Sequence, residues 1–199
     1  MKPLSVMLNQ YMWRFCIVIY MSIFLTGCIS IGGDAEPVQL FRLAPIIHET
    51  NNTAKPLQVD VSSGNLLNSQ NLWVVQPGHR IAGYKGARWA MPLPELWEQA
   101  LIRSLEQSNV AIVVDSGGKY ASLKVALRDY QVEIQENNAT IKIALQATFN
   151  GLDGEVTHQL FDASANASLS DAVSLSKAFN LANQGALQKL IQWVSINGT

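Results

Sequence analysis

The ten residues TIKIALQATF (140–149) alternate without a fault, with Ile141, Ile143, Leu145, Ala147 and Phe149 in one phase and Lys142 and Gln146 in the other. Extended backbone points successive side chains to opposite faces, so this segment predicts a strand with one face in a core and the other in water. Its neighbours extend the argument. SLKVALRDYQVEI (122–134) keeps Leu123, Val125 and Leu127 in one phase, then Tyr130, Val132 and Ile134 in the other. A change of phase without a turn predicts a bulge near Arg128 and Asp129. Glu136-Asn137-Asn138 turns the chain between these two segments, NGLDGE (150–155) turns it again, and HQLFDASANA (158–167) returns as a strand with small residues.

Upstream, VQLFRLAP (38–45) alternates and predicts a first strand closed by Pro45, and Leu57, Val59 and Val61 mark a second. LWVVQ (72–76) ends at Pro77-Gly78, and RIAGY (80–84) reads as extended up to a turn at Lys85-Gly86. The first helix begins at Pro92 and Pro94, where a missing N–H is harmless, and Glu95 and Glu98 suit its positive end. Leu93, Trp97, Leu101 and Leu105 form its apolar row, and Asn109 ends it before the strand VAIVVDS. Ser170-Asp171 caps a closing helix over about 171–195, with Leu175, Phe179, Ala182, Ala186, Leu190 and Val194 on its buried stripe. Gly185 weakens that helix by about 1 kcal/mol relative to Ala, a cost that a close packing contact would explain. The expected fold class is α+β, a two-layer sandwich in which two main helices pack an antiparallel-rich sheet.

The N-terminus has a different character. Residues 1–27 hold Lys2 and Arg14 and no acid, and FCIVIYMSIFL (15–25) is almost pure hydrocarbon. That run fits the roughly 7–15 residues of a signal-peptide core. It falls short of the ~20 needed to span a bilayer. The polar stretch before Arg14 is longer than usual, and Met12 offers a later start. Leu25-Thr26-Gly27-Cys28 resembles the bacterial lipobox, in which the cysteine sulphur is acylated and the chain is cut in front of it. The expected organisation is a lipoprotein signal peptide over 1–27, the lipidated Cys28 with a flexible tether over 28–37, and a single domain over 38–199. Ile29, rather than aspartate, follows the anchor, which by the Gram-negative sorting convention favours the periplasmic face of the outer membrane.

After cleavage Cys16 is lost and the sulphur of Cys28 is used, so no internal disulfide is available and the core must carry stability alone. Removing Lys2 and Arg14 from the 14 basic residues leaves 12 against 15 acidic, a net charge of −3, which excludes a nucleic-acid surface. His48, His79 and His158 stand apart with no second histidine at ligand spacing, so no metal site is expected. No GxSxG or phosphate-cradling loop occurs, and thiol catalysis is excluded if Cys28 is acylated. No enzyme is expected, and no cofactor beyond the covalent lipid on Cys28.

The stretch RIAGYKGARWAMPLPELWEQALIRSLEQSNVAIVV (80–114) carries a tyrosine in an extended segment, then Arg-Trp, then a proline-led amphipathic helix and a strand. Together with the lipobox, the aromatic strand from Phe41 to Pro45, a long hairpin and a last helix ending near Gln192-Trp193, this order resembles the ABC-type transport auxiliary lipoproteins. That is the family of paraquat-inducible protein C. Family members often have paired tyrosines where this chain has Phe41 and Arg42. The resemblance implies a non-catalytic accessory role in envelope transport of lipids or hydrophobic compounds. Implied partners are a mammalian-cell-entry (MCE) domain protein and an inner-membrane ABC permease, with a homo-oligomeric ring in some members.

Trp73, Tyr84, Arg88 and Trp89 are the candidate partner-binding residues, since aromatics and arginine are enriched at interface hot spots. The competing reading places Trp73 and Trp89 in the core. A second class of function, an envelope assembly lipoprotein that activates a cell-wall synthase or serves lipopolysaccharide assembly, shares the same anchor and domain.

Overall fold

Eight strands and two helices follow one another in a computed structural model that describes residues 38–47, 54–113, 118–135, 138–168 and 171–197. The strands are β1 (Gln39–Phe41), β2 (Ala54–Ser63), β3 (Asn71–Gln76), β4 (Arg80–Trp89), β5 (Val110–Ile112), β6 (Ala121–Gln135), β7 (Asn138–Asn150) and β8 (Val156–Ala167). Helix α1 (Leu93–Gln107) lies between β4 and β5, and α2 (Ala172–Asn197) closes the chain. The leader, Leu25, Thr26, Gly27, Cys28, the tether and His48 lie outside the described residues.

The long strand β6 is the spine of the sheet. On one edge it pairs antiparallel with β7 along its whole length, and β7 pairs antiparallel with β8. On the other edge two strands sit end to end. β2 takes the first half, Leu57–Ser63 against Ala121–Leu127, and β3 takes the second, Trp73–Val75 against Gln131–Glu133. β5 extends the sheet beyond β2, while β4 and then β1 extend it beyond β3. The junction between the halves falls at a register shift in β6 between Leu127 and Asp129. This is the bulge that the phase change in the sequence locates, and the Arg128 guanidinium there donates to the side-chain oxygen of Gln146.

The expectation of an antiparallel-rich sheet is corrected by the pairings. The sheet is mixed, and four of its seven pairings among the described residues, β1–β4, β2–β5, β2–β6 and β3–β6, are parallel. Apolar alternation fixes which face of a strand is buried and is the same for either direction; direction is set by the connections. Here the chain leaves β2, continues into β3 along the same edge of β6, and comes back through β4 and α1 to lay β5 beside β2. Two smaller expectations also change. The first strand is only Gln39–Phe41, and Lys85-Gly86 is not a turn, because β4 runs through it with a register shift against β3.

Both helices pack on one face of the sheet, α1 against β2 and β5 and α2 against β7 and β8. Leu123, Val125, Leu127, Tyr130 and Val132 of β6 meet Leu96, Trp97, Leu101, Phe179, Leu187 and Leu190 in one continuous core. Helix α1 ends at Ser108, after which Asn109 turns left-handed at φ 59°, a conformation Asn tolerates better than most residues. At the start of α2 the Ser174 N–H donates to the Asp171 carboxylate at 2.7 Å, as the sequence predicts for a cap.

The segment after β1 crosses the two helices and is fastened to each. The Ala44 N–H donates to the Asn180 side-chain oxygen of α2 at 2.9 Å, and the Ile46 N–H donates to the Ser104 hydroxyl of α1 at 2.9 Å. Leu43, just before these bonds, is buried and adds an apolar contact.

Candidate functional site

β1, β4 and β3 form a flap that contains all four candidate partner-binding residues. Among the described residues the flap's only strand pairing with the spine is the short β3–β6 one, and its outward face continues the solvent side of the sheet. On that face Trp73 and Val75 of β3 stand opposite Gln131 and Glu133 of β6, and Arg88 of β4 stands between Leu40 of β1 and Asn71 of β3. Glu133 forms an ion pair with Lys142 of β7 at 3.5 Å.

The four residues do not share one environment. Trp89 is 1% exposed and belongs to the core, so its side chain is not on the surface that the partner reading requires. Its indole meets Phe179 edge-on at 5.0 Å and Tyr130 edge-on at 5.7 Å, while Tyr130 and Phe179 stack at 5.5 Å. Arg88 is exposed, as alternation requires of the residue between buried Ala87 and Trp89. Trp73 is half-buried, and its indole N–H donates to the Leu66 carbonyl at 2.8 Å, which ties the β2–β3 connection to the sheet. Tyr84 is half-buried and packs against the core.

Four residues of the flap escape a search for aromatic hot spots. Leu40 is 65% exposed and Ile81 51%, and both lie on the outward face; Lys85 is exposed on β4, and Arg80, opposite Gln76, is exposed in the other phase. A signal for the cations is present in the sequence: β4, RIAGYKGARW, carries three bases and no acid, and β1 and β3 carry no charge at all.

Outside the flap, two ionisable groups are shifted by their surroundings. Burial pushes the Glu98 carboxyl above its ordinary value, with smaller contributions from Asp60 and then Glu95. Burial raises the Tyr130 phenol well above its usual range; its hydroxyl donates to Asn183 at 3.4 Å. A recess of about 500 Å³ between β7, β8 and α2 holds Lys142 and Lys189 with Asp129 and Asp162. Its bases have partners, since Lys189 donates to the Asp162 carbonyl at 2.6 Å and Lys142 pairs with Glu133. His79 and His158 are exposed, and no three His, Cys, Asp or Glu side chains among the described residues are grouped to hold a metal ion. No helix among the described residues is long and apolar enough to cross a membrane.

Neither a protein-family model nor a curated protein matches the chain. Solved structures do. A Xanthomonas campestris protein of the DUF330 family is similar at a TM-score of 0.70 and 19% identity, over 80% of this chain and 96% of that one. An uncharacterized protein follows at 0.65 and 12%, over 80% and 99%. A hypothetical protein from Chlamydia trachomatis is similar at 0.51 and 9%, over 71% and 95%. At these identities the likeness is one of fold: the split sheet with two helices on one face recurs in other chains of similar length.

Proposed function

We propose that the chain is a bacterial envelope lipoprotein, held by lipids on Cys28 at the periplasmic face of the outer membrane, that works without catalysis as an accessory of an MCE/ABC-type transport system. The observation that carries the anchor is Leu25-Thr26-Gly27-Cys28 directly behind the apolar run 15–25. The second and third acyl chains of such an anchor matter physically, because one chain binds a membrane only marginally and each buried methylene adds ~0.8 kcal/mol. The transport role is supported by the order of motifs from Tyr84 through Arg88-Trp89 to the proline-led helix α1. In the fold these make one continuous unit, with β4 delivering the chain through buried Trp89 straight into α1. An MCE protein and an inner-membrane ABC permease are the partners that this resemblance implies.

The test has two parts. Cells grown with radioactive palmitate should yield a labelled band of the mature size, and Cys28→Ser should abolish both the label and the membrane-bound pool. Crosslinked envelopes should then yield the permease and MCE protein with the wild-type lipoprotein. An unlabelled mature band ends the anchor reading, and a labelled protein that never captures the transport components ends the transport reading.

A further inference from the structure

We propose that the β1–β4–β3 flap is a membrane-contact surface that lays the domain against anionic lipid headgroups. The proposal rests on the anchor reading above and names the surface to which the anchor delivers the domain. Three observations converge on the flap.

The first is position. From Cys28 to Val38 the chain can extend at most ~36 Å. It enters the fold at β1, whose first residue is Gln39, on the outer margin of the flap. A domain tied to a bilayer at Cys28 therefore enters its own fold through the flap, within a tether's length of the lipid.

The second is charge. Lys85 and Arg88 are exposed on β4, Arg88 on the outward face beside Leu40, and β1, β3 and β4 contain no acid, in a mature chain whose net charge is negative. On the neighbouring strand β6 the acids are Glu133, already paired with Lys142, and Asp129, which stands two residues before Gln131. The third is apolar reach. Leu40 and Ile81 are 65% and 51% exposed on the outward face, Leu40 beside Arg88 and Ile81 beside Val75, with half-buried Trp73 in the same phase. Bases mixed with aliphatic and aromatic side chains suit the boundary between headgroup and acyl chain: the cations meet anionic headgroups and the apolar groups enter the layer beneath. An acidic protein would satisfy the charges, but only a lipid surface also accounts for the place where the tether enters.

Residues 37–199 form a compact unit that contains the whole buried core, so this part can be prepared without the leader and without Cys28. It should sediment with vesicles of phosphatidylethanolamine and phosphatidylglycerol at roughly three to one, and not with phosphatidylcholine alone. At about 1 M salt, where the Debye length falls to ~3 Å, the binding should be lost. Reversing Lys85 and Arg88 together to Glu should weaken it at least ~20-fold, since each base near an anionic surface contributes about fivefold. Circular dichroism should stay unchanged, because both side chains are exposed.

A wild-type domain that ignores anionic vesicles, or a reversed variant that binds as the wild type does, overturns the proposal. So does a domain that ignores vesicles but loses capture of a purified protein partner on the same substitutions, which would give the face to that protein. The measurement omits Cys28, so its failure leaves the palmitate result intact, and failed labelling leaves the vesicle result standing.

Discussion

At the scale of single residues, Arg88 and Trp89 show what alternation decides and hot-spot statistics do not. Neighbours in a strand point to opposite faces, so both could not be presented outward; the tryptophan joins Tyr130 and Phe179 inside and the arginine stays in water. That answer was legible in the sequence from Ala87 onward, and the bulge in β6 was legible in the same way. Gly185 is the reverse case, in which the sequence offers a reason that the fold does not need. A Cβ added there would meet the Ala163 methyl at 3.8 Å, an ordinary contact, and nothing else within 4 Å. The glycine is therefore a weakness of α2 that the packing does not require. Gly185→Ala should stabilise the domain by about 1 kcal/mol through helix propensity and a less disordered unfolded chain. Urea denaturation should show a higher midpoint with an unchanged slope, and a lower midpoint would mean that β8 and α2 are closer than this packing allows.

At the scale of elements, the sequence showed where strands and helices lie far better than it showed how they are joined. The cap at Asp171 and the apolar rows of both helices follow from local pattern. The parallel pairings of β2 and β3 with β6 do not, because they depend on a crossover through β4 and α1 that leaves no periodic trace. Nor does the segment 42–47 announce that it fastens the helices, since its two bonds span 136 and 58 residues of sequence. That fastening makes a coupled pair. Ser104 is fully buried, so Ser104→Ala leaves the Ile46 N–H without its acceptor and should cost about 1–2 kcal/mol. Asn180→Ala releases Ala44 and should cost a similar amount. Because both bonds hold one short segment, freeing either end weakens the other. The double variant should be less destabilised than the two single losses together, by ~0.5 kcal/mol or more in a denaturation cycle. Strict additivity would show that the two bonds act independently.

At the scale of the whole molecule, the sheet has one strong region and one weak one. Both cysteines precede residue 37, so no disulfide ties the folded part together, and cohesion rests on pairing and core alone. β6, β7 and β8 pair along their lengths, whereas the flap reaches β6 only from Trp73 to Val75, with Leu72, Val74 and Trp89 as its buried pegs. Such an arrangement should open in parts. In hydrogen exchange under native conditions, amides of β4 should exchange through an opening that costs less than the global unfolding reported by β6 and β7, each ~1.4 kcal/mol of difference appearing as a tenfold faster rate. The same experiment joins stability to the proposed membrane contact. A ligand that binds only the closed flap raises the cost of opening it by mass action, so anionic vesicles should slow exchange in β4, and in β6 and β7 by the same factor, since global unfolding opens the flap too. One opening free energy shared by flap and spine would remove the partition, and a flap whose exchange is indifferent to vesicles would separate its looseness from any role at the lipid surface.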